Sequence, residues 1–134
     1  MAVPNFTTKA QEALEAAQRI AHERSHAELE PAHLALALIQ QEEGIVTAVL
    51  RALHVDVADV GRIVTERLAA LPTVTGGGIA QLGLSRSLQA LFQAALAAAK
   101  RMQDTFVSTE HLFLGFLTAD ANVTQRLASV GVTP

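Results

Sequence analysis

His22-Glu23-Arg24-Ser25-His26 spells H-E-x-x-H. On an unbroken helix the two imidazoles would share a face and could hold zinc, with the carboxylate as general base. The motif falls at the fraying end of its predicted helix, and neither Glu28 nor Glu30 makes a convincing third ligand. A zinc hydrolase built on His22, Glu23 and His26 is therefore the remote alternative, and ordinary helix-end polarity is the expectation. His33 and His111 stand at matching places in two similar segments. A shared structural role is expected for them, such as bonding a neighbouring backbone carbonyl, rather than metal binding or catalysis. Gly76-Gly77-Gly78 is not followed by Lys and Ser or Thr, so it is no phosphate loop. There is no Cys, hence no disulfide framework and no thiol chemistry. The spacing shows no Ser-His-Asp pattern. What remains is surface. Small side chains such as Ala94 and Ala98 would let a partner segment approach closely, in the way peptides dock between helices. Asp104 and Glu110 could read a positive group there, or be charges that simply favour a helix start.

The elements that must carry these residues are set by a duplication. Glu30-Pro31-Ala32-His33-Leu34 and the apolar run to Ile39 return as Ser108-Thr109-Glu110-His111-Leu112 and the run to Leu117, 78 residues later. Phe6-Thr7 meets Leu84-Ser85, Gln11 meets Gln89 and Ala21 meets Ala99 at the same spacing; beyond Glu42–Gly44 the offset becomes 77, pairing Leu50 with Leu127. Such self-similarity marks an internal repeat. Each apolar run is about ten residues, half of what a bilayer needs, so each is expected as a buried helix. Pro31 suits a first helical position and Ser108 an N-cap.

Taken in order, Met1–Asn5 is a tail and Phe6-Thr7-Thr8 opens a helix that runs to about Ser25. Either Thr can cap it, and Thr8 with Gln11 has capping-box spacing. His26–Leu29 is a connector, followed by the buried helix 31–41. Ile45–Leu53 makes a short helix and Val57–Leu71 an amphipathic one, with Asp56 a plausible N-cap. Pro72–Gly83 is the linker. Ser85 or Ser87 caps the next helix, to about Gln103; the 109–118 helix and a last one near 123–130 follow. The counterpart of Val57–Leu71 should begin where Pro134 stands, so the second repeat is expected to be truncated. The reading is one all-α domain over 1–134: a pseudo-twofold bundle of repeat 6–71, linker 72–83 and repeat 84–134.

Composition agrees. The 134 residues are half apolar and rich in Ala and Leu, with a net charge of −3 of mixed sign. That favours helix and leaves no basic footprint for nucleic acid. Met1–Phe6 has no basic start or apolar stretch of a signal peptide, and no segment is a membrane span, so a cytoplasmic location and a monomeric isolated domain are expected.

Together, these motifs resemble the amino-terminal domain of Clp ATPases, the double Clp repeat. Phe6–Leu14 is similar to the family's opening, and Glu30–Leu34 and Ser108–Leu112 are similar to its two repeat motifs. Leu71-Pro72-Thr73-Val74-Thr75-Gly76-Gly77 looks like the inter-repeat signature of the ClpB disaggregase branch. The resemblance implies a binding module, not an enzyme, on a hexameric AAA+ chaperone. ATP and Mg would be bound by modules outside this chain, with no cofactor here. Its partners would be unfolded or aggregated polypeptides, adaptor proteins in some cases, and the Hsp70 system through the parent. The resemblance places substrate handling on Thr7, Asp104 and Glu110, beside a groove lined by Leu91, Ala94, Ala95 and Ala98. The alternative within the family is a ClpC- or ClpA-type domain that docks adaptors or phosphoarginine-tagged substrates. Ala32 stands where that type carries a Glu in the first repeat, which argues against it.

Overall fold

The computed structural model describes residues 6–41, 44–71, 73, 83–119, 125–128 and 131. Thr7 opens the chain's first helix. Its Oγ1 accepts the N–H of Ala10, and α1 runs Thr8–Glu23. Thr8 is not the cap, and Gln11 closes no box with it; the Gln11 side chain instead donates to the carbonyl of Phe6. A two-residue strand, β1 (Glu28–Leu29), leads into α2 (Pro31–Gln40), which is buried from Pro31 to Leu38. Then come α3 (Ile45–Ala52) and α4 (Val57–Ala69), the latter capped by Asp56 through the N–H of Ala58. β2 (Gly83–Leu84) precedes α5 (Arg86–Arg101), capped by Ser85 and not Ser87, and α6 is Thr109–Ala119. Residues 125–128 are helical, within the last helix expected near 123–130. Met1–Asn5, and the linker apart from Thr73 and Gly83, lie outside the described residues.

The duplication is visible as reciprocal contact. Ser85 N–H donates to the carbonyl of Leu29 at 3.1 Å, and Thr7 N–H donates to the carbonyl of Val107 at 3.0 Å. Thr7 and Ser85 are repeat counterparts, and so are Leu29 and Val107. The start of each repeat thus pairs with the strand before the buried helix of the other, as β1–β2 in one place and as the Phe6–Val107 bridge in the other. This exchange of the same patches is what a twofold axis produces. The expected connector His26–Leu29 is therefore partly strand, a feature two residues long and below the reach of any sequence period.

The core lies between these pairs. α1 packs on α2, α5 on α6, and α2 touches both α4 and α6. The close α5–α6 approach depends on Gly115. A Cβ there would lie 2.6 Å from the carbonyl oxygen of Leu91 and 3.4 Å from the nitrogen of Ala95. In the first repeat the counterparts of Leu91 and Gly115 are Ala13 and Ala37, so the two halves divide the same volume differently.

Three helices end on non-glycine residues in left-handed conformation: Ser25 (φ 56°), His54 (φ 61°) and Gln103 (φ 58°). Each makes a Schellman closure; His26 N–H bonds the carbonyl of Ala21, Val55 that of Leu50, and Asp104 that of Ala99. The first and last of these are repeat counterparts. These turns end α1 and α5 earlier than the expected Ser25 and Gln103 and aim His26 and Asp104 back toward the buried helices.

Candidate binding site

Because α1 stops at Glu23, the H-E-x-x-H residues do not share a helical face. His22 is exposed on the last turn, whereas His26 has turned inward and is buried. Its Nδ1 lies 2.7 Å from Nε2 of His33. Among the described residues, no three His, Cys, Asp or Glu side chains gather closely enough to hold a metal ion. The zincin geometry is thus replaced by a His–His contact.

His33 and His111 have the shared structural role expected of them, with a different partner. Each Nδ1 accepts a backbone N–H, from Glu30 and Ser108 respectively, both at 2.9 Å, where a bond to a carbonyl was expected. Accepting at Nδ1 assigns the ring proton to Nε2. That N–H is given to His26 in the first repeat and to Asp104 in the second, the latter at 2.9 Å. Burial, together with the neighbouring His26 and Arg24, lowers the pKa of His33 to about 4. Burial, then Arg24, also moves His26 downward.

Around the second pair the three expected contact residues come together. Thr7, Asp104 and Glu110 line one pocket of about 370 Å³ with Phe106, Ser108 and His111. Thr7 is placed by capping α1, Asp104 by the turn after α5, and Glu110 by the first turn of α6. Asp104 is about half exposed, and Phe106 and Met102 beside it are 51% and 54% exposed. Glu110 also edges a second pocket with Thr7 and Ile45, and an apolar groove between α3 and α6 that contains Val49, Leu53 and Phe113. Sequence reasoning did not single out Phe106, Met102, Val49 or Leu53. Their exposure depends on how the turns are closed, which no periodicity reports.

The expected groove lining is placed otherwise. Leu91, Ala95 and Ala98 are buried, and Ala94 is only partly exposed. Leu91 and Ala95 form the seat of Gly115, so in this conformation their surface is spent on α6 and not offered to a partner.

Ser108, His111 and Asp104 form a hydrogen-bonded chain whose residue types match a hydrolase triad, a pattern the sequence spacing did not announce. Ser108 Oγ is 3.0 Å from Nδ1 of His111. The chemistry does not follow, because that Nδ1 already receives the Ser108 N–H and the Ser108 hydroxyl donates to Glu110. The imidazole lone pair that would take the hydroxyl proton is engaged. The arrangement is a helix-start network that fixes the pocket wall.

Fold and site together describe a helical module with a pseudo-twofold frame and an acidic, partly apolar pocket on one side. The model of the Clp repeat (R) N-terminal domain matches residues 5–129, and the chain belongs to that family. It is 40% identical over 131 residues to the chaperone protein ClpB of Mycobacterium tuberculosis, covering 97% of this chain and 15% of that protein. It is 34% identical over 131 residues to ClpB of Rhodopirellula baltica, covering 98% and 15%. The chain thus spans about 15% of the length of these relatives. Among solved structures, the Hsp104 N-terminal domain of Candida albicans superposes with a TM-score of 0.82 at 19% identity, covering 96% of this chain and 83% of that one. The complex of the ClpV N-domain with a VipB peptide gives 0.73 at 22%, covering 94% and 76%. At these identities the likeness is one of fold.

Proposed function

We propose that this domain is the substrate-binding module of a ClpB-type AAA+ disaggregase. It captures unfolded or aggregated polypeptide in the cytoplasm and hands it to ATPase modules elsewhere in the parent hexamer, which works with the Hsp70 system. The observation that carries the reading is the convergence of Thr7, Asp104 and Glu110 on one pocket, with Phe106 exposed beside them. Two carboxylates next to an aromatic ring suit an extended segment that carries a Lys or Arg beside an apolar side chain. The family membership and the ClpB relatives support the parent's identity, and the existence of a ClpV N-domain complex with a VipB peptide supports a peptide-binding role for this fold. The domain itself acts by binding, without a cofactor of its own.

Glu110→Ala tests it. Fluorescence anisotropy with a labelled, permanently unfolded polypeptide should show affinity reduced by about five- to tenfold, the loss of roughly 1 kcal/mol expected of a contact residue. The melting transition should stay near that of the parent sequence. Unchanged affinity would remove Glu110, and with it this pocket, from substrate capture.

A further inference from the structure

The two repeats solve the same local problem with different chemistry. In the second, buried His111 gives its Nε2–H to the carboxylate of Asp104. In the first, the counterpart of Asp104 is His26, and buried His33 gives its Nε2–H to a second imidazole. A carboxylate goes on accepting the Nε2–H of a ring that gains a second proton, so that proton would cost only the Ser108 N–H bond at Nδ1 of His111. An imidazole does not offer the same tolerance.

The hydrogen bonds around the pair dictate the consequence. Glu30 N–H occupies Nδ1 of His33, so the His33 proton is on Nε2 and points at Nδ1 of His26. Both rings are therefore neutral, and the His26 proton sits on its own Nε2. Adding a proton to His26 places it on Nδ1, donor against donor across 2.7 Å. Adding one to His33 places it against the Glu30 N–H. Either proton breaks a bond at a buried site, where an unmatched polar group is expensive. The charged groups around the pair are Arg24 at the end of α1, which opposes a positive ring, and Glu30 at the start of α2, which favours one. Glu28 on β1 lines the same small cavity as His26, Glu30 and Leu71.

The pair also holds something. The backbone at His26 bridges Thr73 in the linker, and β1, two residues on, pairs with β2 at the linker's far end. We propose that the His26–His33 contact is an acid-released latch that seats both ends of the inter-repeat linker, and that Asp104–His111 is its acid-tolerant counterpart.

The fold supplies the control. The Ser85 amide reports the first-repeat latch through its bond to Leu29, and the Thr7 amide reports the second through its bond to Val107. Amide exchange followed by NMR, expressed as protection factors at about pH 7 and about pH 5, spans the ordinary imidazole range. The protection of Ser85 and His26 should fall by roughly tenfold or more, while that of Thr7 and Asp104 holds. His26→Asp, which copies the second repeat, should abolish the difference. His26→Asn supplies a neutral acceptor that does not titrate and decides the matter if the Asp variant folds poorly. Parallel loss at Ser85 and Thr7, no loss at either, or an undiminished loss at Ser85 in the non-titrating variant would overturn the latch.

Discussion

His33 is fully buried, neutral and held at a pKa of about 4, chiefly by burial. In the unfolded chain the same ring titrates near 6.5. Between these values the unfolded state binds the extra proton and the folded state does not. Stability that is full above about pH 6.5 is therefore lost as pH falls toward about 4, and levels off below it. At about 1.4 kcal/mol per unit, the loss approaches roughly 3 kcal/mol. Urea unfolding of the chain and of His33→Leu at a series of pH values should show the slope in the former and its reduction in the latter. The presence of two matched His residues, and their structural employment, could be read from the repeat. Their partners could not. Whether a ring nitrogen meets a carbonyl or an N–H depends on the backbone one turn earlier, and whether position 26 reaches position 33 depends on where α1 stops.

At the scale of elements, the helices followed from apolar spacing and capping residues, and Asp56 and Ser85 serve as their sequence neighbourhood required. The ends were less legible. Ser25, His54 and Gln103 take a left-handed conformation without the glycine that usually announces one, so the expected helices ran on by one or two residues. Three residues expected to line an apolar groove, Leu91, Ala95 and Ala98, are buried inside the domain for a related reason. A stripe of Leu91, Ala94, Ala95 and Ala98 on one helix is equally suited to a partner and to a neighbouring helix of the same domain. Gly115 favours the second by bringing α6 down onto Leu91 and Ala95 of that stripe. The signal was present in the sequence as a glycine inside an otherwise apolar helix, where it costs about 1 kcal/mol against Ala unless packing requires it. Gly115→Ala should destabilise the domain by about 1–3 kcal/mol, since its Cβ would meet a backbone oxygen that cannot swing away. In the first repeat, Ala37→Gly should cost about 1 kcal/mol, the difference in helix propensity. Chemical denaturation of both variants checks the pair; a stabilising Gly115→Ala would contradict the packing described.

Over the whole molecule, the duplication explains more than the helix count. Each repeat lends its first residues to the other's short strand, so the halves are held together by reciprocal main-chain bonds as well as by the α2–α6 contact. The pocket depends on that exchange. Thr7 comes from the first repeat, Asp104 and Glu110 from the second, and Thr7 is brought to them by its N–H bond to Val107. Once diverged, the two copies came to offer different faces: an aspartate and an exposed aromatic beside His111, and a buried imidazole beside His33. One side thereby presents carboxylates beside an exposed ring, the combination proposed to hold a partner's cationic and apolar groups. The most direct measurement is an NMR titration of the ¹⁵N-labelled chain with an unfolded polypeptide. Binding at the proposed pocket predicts the largest shifts at Thr7, Asp104, Phe106 and Glu110, with the surface of α4 unmoved. Shifts confined to α4, or spread evenly over the surface, would contradict it.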